Sequence, residues 1–212
     1  MESSHVIVLP GGGYSELSDN ESEVVAERLR SLGLSASVFR YPVRTRHPGP
    51  LDAVRAEVRR RRAEGVSRVA LLGFSAGGHL AGHATLTAGS AEDRIDAAVL
   101  CYPVVSMELA THRGSQDELI GPDADGRLRA STSLDRLVSA EAPPFFIWHT
   151  AADESVPVAH AYLLAQALAA HGVPHALHVF TEGEHGIGLA DAEGAAGQWS
   201  ALAADWLKER GW

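Results

Sequence analysis

Gly73-Phe74-Ser75-Ala76-Gly77 brings together the residue types that a hydroxyl nucleophile requires. It directly follows an apolar run, Val69-Ala70-Leu71-Leu72, and directly precedes a helical pattern. So tight a strand-to-helix turn strains its central residue and needs small neighbours on both flanks. In return it holds the serine hydroxyl above the sheet with a helix N-terminus beneath it. A serine hydroxyl is a poor nucleophile until a base removes its proton. Late in the chain, Glu182-Gly183-Glu184-His185-Gly186 supplies His185 on a glycine-flanked loop. The carboxylate that orients this base is expected after the preceding strand. There Thr150-Ala151-Ala152-Asp153-Glu154 offers Asp153, with Glu154 as a near rival.

Acyl transfer also needs donors for a developing oxyanion. Pro10-Gly11-Gly12-Gly13-Tyr14 follows the first apolar run, and its glycines allow backbone N–H groups to approach a substrate closely. The expected oxyanion hole is formed by the N–H groups of Gly12, Gly13 and Ala76, each such donor being worth roughly a hundredfold or more in rate. A phosphate-binding turn is the rival reading. No Walker lysine follows, however, and the spacing is not G-x-G-x-x-G. Tyr14, beside the glycines, and His112, in a long loop, are the further candidates for touching substrate. His79, on the second turn after Ser75, either buttresses that turn or lines the pocket. His79 and His83 are four residues apart, but no Glu completes an H-E-x-x-H pattern and no third ligand is evident, so no metal site is expected. Nor does the chemistry require a cofactor.

These residues need a scaffold that gathers them. Six short apolar runs read as buried strands: His5–Leu9, Ala36–Arg40, Arg68–Leu72, Ala97–Cys101, Phe145–His149 and Ala176–Phe180. Helical patterns lie between or after them, near Glu21–Leu32, Leu51–Glu64, Gly77–Thr87, Ala159–His171 and Gln198–Arg210. This alternation predicts one α/β domain spanning 1–212, a doubly wound, mostly parallel sheet covered on both faces. The stretch 103–144 breaks the rhythm. A loop of that length is expected to act as a small lid over the carboxyl ends of the strands.

The chain has 212 residues, 45% of them hydrophobic and 21% charged, as in an ordinary globular domain. A net charge of −9 argues against nucleic acid as the main partner. The basic run Arg59 to Arg62 continues a helical pattern and reads as a solvated face. Cys101 is the only cysteine, ends an apolar run, and reads as a buried thiol. No apolar stretch approaches the length of a membrane span, and the N-terminal residues lack a secretory pattern. No membrane association and a cytoplasmic location are therefore the expectation.

The motifs, now extended, carry a family resemblance. They are Leu9-Pro10-Gly11-Gly12-Gly13-Tyr14, Gly73-Phe74-Ser75-Ala76-Gly77-Gly78-His79-Leu80, Tyr102-Pro103-Val104-Val105-Ser106, Trp148-His149-Thr150-Ala151-Ala152-Asp153 with Val156-Pro157-Val158, and Gly183-Glu184-His185-Gly186-Ile187-Gly188-Leu189. Together they resemble the small acetyl-esterase and lipase group of the α/β-hydrolase superfamily, related to hormone-sensitive-lipase-like esterases. The order serine, acid, histidine is that superfamily's order. The resemblance implies that Asp153, not Glu154, is the acid. It also implies a short-chain esterase for acetylated sugars such as xylo-oligosaccharides, acting through an acyl-enzyme on Ser75. A formamide hydrolase or a catalytically silent binding protein on the same scaffold are the alternatives. Two departures stand out: many relatives carry His where Pro10 stands, and the superfamily's two leading antiparallel strands are missing. Ala36–Arg40 is then left as a bare edge, and such edges invite pairing, so a homodimer is one outcome.

Overall fold

Alternation of side chains along four central strands sets the architecture. A computed structural model describes residues 3–109 and 112–212. It contains the strands β1 (Ser4–Leu9), β2 (Ala36–Val38), β3 (Arg68–Phe74), β4 (Ala97–Cys101), β5 (Phe145–Thr150) and β6 (His175–Phe180). Every neighbouring pair is parallel, and the order across the sheet is β2-β1-β3-β4-β5-β6. Successive strand residues point to opposite faces. Val6, Val8, Ala70, Leu72, Val99 and Trp148 accordingly enter one core layer, and Ile7, Leu9, Val69, Leu71, Leu100 and Ile147 the other. Burial on both faces explains why these strands read as continuous apolar runs.

The first layer is closed by α1 (Glu23–Ser31) and α8 (Trp199–Lys208), through Val25, Leu29, Trp199 and Leu207. The second is closed by α2 (Gly49–Ala63), α3 (Ser75–Leu86) and α7 (Ala159–Ala170), through Val54, Val58, Leu80, Leu164 and Leu168. The chain leaves β1 outward to β2, then returns to place β3 on the other side of β1. Strand order therefore reverses between β1 and β3, and in open α/β sheets ligands bind at the carboxyl ends beside such a reversal. The glycine loop leaves β1, and Ser75 leaves β3, at that point.

The segment 103–144, residues 110 and 111 of which lie outside the described ones, is helical where a loop was expected. It forms three short helices, α4 (Arg113–Ile120), α5 (Gly126–Ser131) and α6 (Leu134–Leu137). Leu119, Ile120, Leu134 and Val138 are buried in the second core layer, so α4, α6 and the residues after α6 anchor the segment to the core. Helices this short carry too few turns for periodicity to reveal them, and tertiary packing stabilises them instead. Element boundaries shift by one or two residues elsewhere: β2 ends at Val38, β3 runs on to Phe74, and α3 begins at Ser75 itself.

The arginine run lies on α2 and is held by intramolecular ion pairs, Arg59 with Asp93, Arg60 and Arg61 with Glu57, and Arg62 with Asp96. Cys101 is fully buried, and β2 occupies one edge of the sheet. Among the described residues no helix is long and apolar enough to cross a membrane.

Leu71 lies at the centre of the sheet with 0% exposure. Leu71→Ala is expected to cost about 2–5 kcal/mol, the usual range for a buried leucine. Urea denaturation measures this directly, and a loss below about 1 kcal/mol would mean that the core collapses freely around the vacancy.

Candidate active site

Ser75 has φ 51°, a left-handed conformation that costs a side chain energy and persists only when its surroundings enforce it. They do so through two glycines. A Cβ on Gly73 would lie 2.2 Å from the Gly77 carbonyl oxygen, and one on Gly77 would lie 2.3 Å from those of Leu9 and Pro10. The end of β1 therefore rests directly on the first turn of α3, and nothing larger than hydrogen fits between them.

Three loops meet above this turn. His185 Nδ1 lies 2.6 Å from Asp153 Oδ2, and His185 Nε2 lies 2.8 Å from Ser75 Oγ. A carboxylate only accepts, so Nδ1 carries the hydrogen and Nε2 presents a lone pair to the serine hydroxyl. The hydroxyl then donates to Nε2, which is the arrangement a general base requires. Asp153 Oδ1 accepts the N–H groups of Ser155 and Val156, each at 2.9 Å. Glu154 is exposed and makes no hydrogen bond to His185. The loop bearing His185 is pinned by Thr150, whose hydroxyl donates to the Gly183 carbonyl at 2.7 Å.

Asp153 has a further partner that sequence reasoning missed. His149, fully buried on β5, places Nε2 3.2 Å from Asp153 Oδ2 and 2.9 Å from the Val156 carbonyl. Both are acceptors, so this nitrogen carries a hydrogen and steadies the carboxylate. Within an apolar strand run, His149 gave no signal beyond that of a core histidine. Burial raises the Asp153 carboxyl, but hydrogen bonds from His149, His185 and the Val156 N–H outweigh it and hold the group well below the usual carboxylate range.

The glycine loop provides candidate donors. Gly12 and Gly13 have φ 117° and 65°, and a Cβ on Gly12 would lie 2.3 Å from the Glu16 carbonyl oxygen. The carbonyls of Gly11 and Gly12 turn back to accept from Ser18, and from Ser15 and Glu16. The N–H groups of Gly12, Gly13 and Ala76 have no acceptor among the described residues. Gly12, Gly13, Ser75, His112 and His185 line one cavity of about 250 Å³.

Of the three residues expected to touch substrate, only His112 lines this cavity. Its Nδ1 accepts from the Ser115 N–H and hydroxyl as it caps α4, so its hydrogen sits on Nε2. Tyr14 and His79 are both fully buried, which corrects substrate contact for Tyr14 and leaves His79 in the buttressing of the two roles expected for it. Tyr14 Oη lies 2.7 Å from His79 Nδ1, and His79 Nε2 lies 2.6 Å from the Thr132 carbonyl. The carbonyl fixes the tautomer: His79 donates through Nε2 and accepts from Tyr14. Burial pushes its pKa down to about 4, so the ring is neutral and both nitrogens are engaged. This pair braces the glycine loop against α3 from behind.

Sequence reasoning also missed Glu21. It is buried, it lines the same cavity, and it accepts the Gly11 N–H at 2.7 Å and the Tyr102 hydroxyl at 2.6 Å. An acidic residue at a helix start is explained equally well by the helix dipole, so the sequence held no sharper signal.

The low pKa of Asp153 has a stability consequence with a definite sign. A carboxyl depressed in the folded state stabilises fully above its unfolded pKa, near about 4, and that stabilisation is lost as pH falls below it. Between pH 7 and pH 3 the urea midpoint of the wild type is expected to fall further than that of Asp153→Asn. Parallel falls would show that Asp153 carries none of this acid sensitivity.

With the geometry in place, comparison with known proteins is informative. The prolyl oligopeptidase family matches residues 52–210. The endo-1,4-beta-xylanase B of Butyrivibrio fibrisolvens is 32% identical over 216 residues, covering 92% of this chain and 34% of that protein. The acetylxylan esterase of Xylanibacter ruminicola is 29% identical over 197 residues, covering 87% of this chain and 41% of that protein. The chain thus spans about a third to two-fifths of the length of these curated relatives. An acetyl ester-xyloside bifunctional hydrolase from Caldicellulosiruptor lactoaceticus, solved by crystallography, superposes with a TM-score of 0.93 at 39% identity, covering 99% of this chain and 84% of that one. The match through α2, the Ser75 turn and the His185 loop, together with this superposition, places the assignment beyond the fold alone: the chain belongs to the prolyl oligopeptidase family of α/β-hydrolases.

Proposed function

We propose that this chain is a serine carboxylesterase that removes short acyl groups, acetyl above all, from acetylated sugars such as xylo-oligosaccharides. The observation that carries the reading is the hydrogen-bonded row Ser75–His185–Asp153, opening on a cavity whose backbone donors are unspent. Ser75 Oγ attacks the ester carbonyl as His185 Nε2 accepts its proton. The oxyanion forms against the N–H groups of Gly12, Gly13 and Ala76, which are fixed before the substrate arrives. His185 then protonates the departing alcohol, and Asp153 stabilises the imidazolium without taking up the proton. In the second half, His185 activates a water that releases the acid from Ser75.

The preference for short acyl groups rests on what lines the cavity. Besides the glycines and the reacting residues, its wall is Ser15, Glu16, Ser18, Glu21, His112 and Ser155, with no aliphatic side chain and no Phe, Tyr or Trp among the described residues. A buried methylene is worth about 0.8 kcal/mol, and this wall offers an octanoyl chain no aliphatic side chain to bury against. The exposed Nε2–H of His112 is a donor suited to a polar alcohol. The sugar ester follows from the similarity to an acetylxylan esterase and an acetyl ester-xyloside hydrolase.

Acyl-chain profiling tests this reading. With nitrophenyl esters, kcat/KM is expected to be highest for acetate and to fall at least about tenfold by octanoate, since each 1.4 kcal/mol lost is a factor of ten. Acetylated xylo-oligosaccharides should release acetate. Octanoate as the best substrate, or N-formylkynurenine turned over faster than acetyl esters, would overturn it.

A further inference from the structure

Glu21 is a buried acid that the triad does not use, and its partners belong to three different parts of the site. Oε2 accepts the Gly11 N–H at 2.7 Å, so it holds the glycine loop one residue before the candidate donors Gly12 and Gly13. Oε1 accepts the Tyr102 hydroxyl at 2.6 Å, just beyond the end of β4. That hydroxyl in turn accepts the Gly188 N–H at 2.9 Å, three residues after His185. The Tyr102 ring meets the His185 imidazole edge-on, 5.0 Å between centroids and 65° between planes. A Cβ on Gly11 would lie 2.6 Å from Glu21 Oε2 and 3.1 Å from Ser75 Cβ, so the carboxylate sits directly behind the nucleophile.

Counting hydrogens shows which form of Glu21 the site is built around. The ionised carboxylate accepts the Gly11 N–H at Oε2 and the Tyr102 hydroxyl at Oε1, with the Ser18 side chain as a further donor, and the Tyr102 hydroxyl both donates and accepts. Every group is then satisfied. A proton on either oxygen would compete with the Gly11 N–H or the Tyr102 hydroxyl for the bond it now makes. Removal from water pushes this carboxyl's pKa up, and the bonds from Tyr102 and Gly11 together with the charge of His185 oppose that rise.

We infer that Glu21 is a positioning residue for the esterase reaction, its ionised carboxylate tying the oxyanion loop to the histidine loop and adding a second negative charge behind the imidazolium. This rests on the serine esterase reading above. The groups facing His185 are Asp153 and Ser75, the Tyr102 ring, Glu21 behind the site, and Glu154 and Glu184 along the adjoining groove. Among these, Glu21 is buried and shared by both loops, whereas Glu154 and Glu184 are exposed.

Two variants separate charge from clamp. Glu21→Gln keeps the shape and removes the charge. On nitrophenyl acetate its kcat should fall about tenfold or more, as a misplaced catalytic group allows, with KM changed less than about twofold. The acid limb of its kcat/KM profile should move to lower pH, because the imidazolium loses a neighbouring anion. Tyr102→Phe keeps the charge and breaks the link to Gly188. Its kcat should fall while the acid limb stays in place, and this result stands even if Glu21→Gln does not fold. A purely structural role would lower activity in both without moving either limb, and that outcome would overturn the inference. Wild-type rate and limb in Glu21→Gln, with Ser75-dependent hydrolysis intact in the parent, would overturn it while sparing the esterase reading. Absence of Ser75-dependent hydrolysis in the parent would remove both.

Discussion

The strained backbone at Ser75 is the constraint from which the rest of the site follows. A side chain at φ 51° is tolerated because β3 on one side and α3 on the other fix the turn, while the end of β1 closes over it at Gly77. Because β1 and β3 are neighbours in the sheet, the glycine loop and the nucleophile emerge side by side. The crevice at the reversal of strand order is therefore already furnished with a hydroxyl and with backbone donors before any loop chemistry is considered.

The buried polar groups around this turn form connected sets, and each set has a clear direction of donation. Asp153 gathers hydrogens from His185, His149, Ser155 and Val156, and Glu21 gathers them from Gly11 and Tyr102. Tyr14 donates to a neutral His79 that donates to the Thr132 carbonyl. Burying such groups without partners would cost several kcal/mol each. With partners, they lock the tautomers and loop positions that acyl transfer needs, and they do so in the absence of substrate. Preorganisation of this kind is where most of the rate in such enzymes originates.

Sequence reasoning reached the parts of this arrangement that local chemistry dictates. The apolar runs of β1, β3, β4 and β5 are legible because strands buried on both faces leave no polar alternation to confuse the period. Ser75 and Asp153 stand out because each sits just past such a run, and His185 because it follows the Ala176–Phe180 run on a glycine-flanked loop. Groups whose role depends on a distant partner escaped notice. His149 and Glu21 acquire meaning only when β5 and the turn Asp19–Glu21 before α1 are folded against the site. Tyr14 was misassigned, and the reading of His79 stayed divided between buttress and pocket wall, for the same reason: adjacency to the glycines and to Ser75 does not reveal which way a ring faces. The short helix α6 is held by packing against α3 and α7, and α5 leans on α6, information that no window of 4 to 8 residues holds.

The central claim is that Ser75 is an activated nucleophile whose reactivity depends on His185. Intact-protein mass spectrometry after exposure to a fluorophosphonate tests it most directly. One adduct per chain, mapped to Ser75 and slowed by several orders of magnitude in His185→Ala, is the predicted result. Labelling that maps elsewhere, or that proceeds at the parent rate without the imidazole, would contradict it.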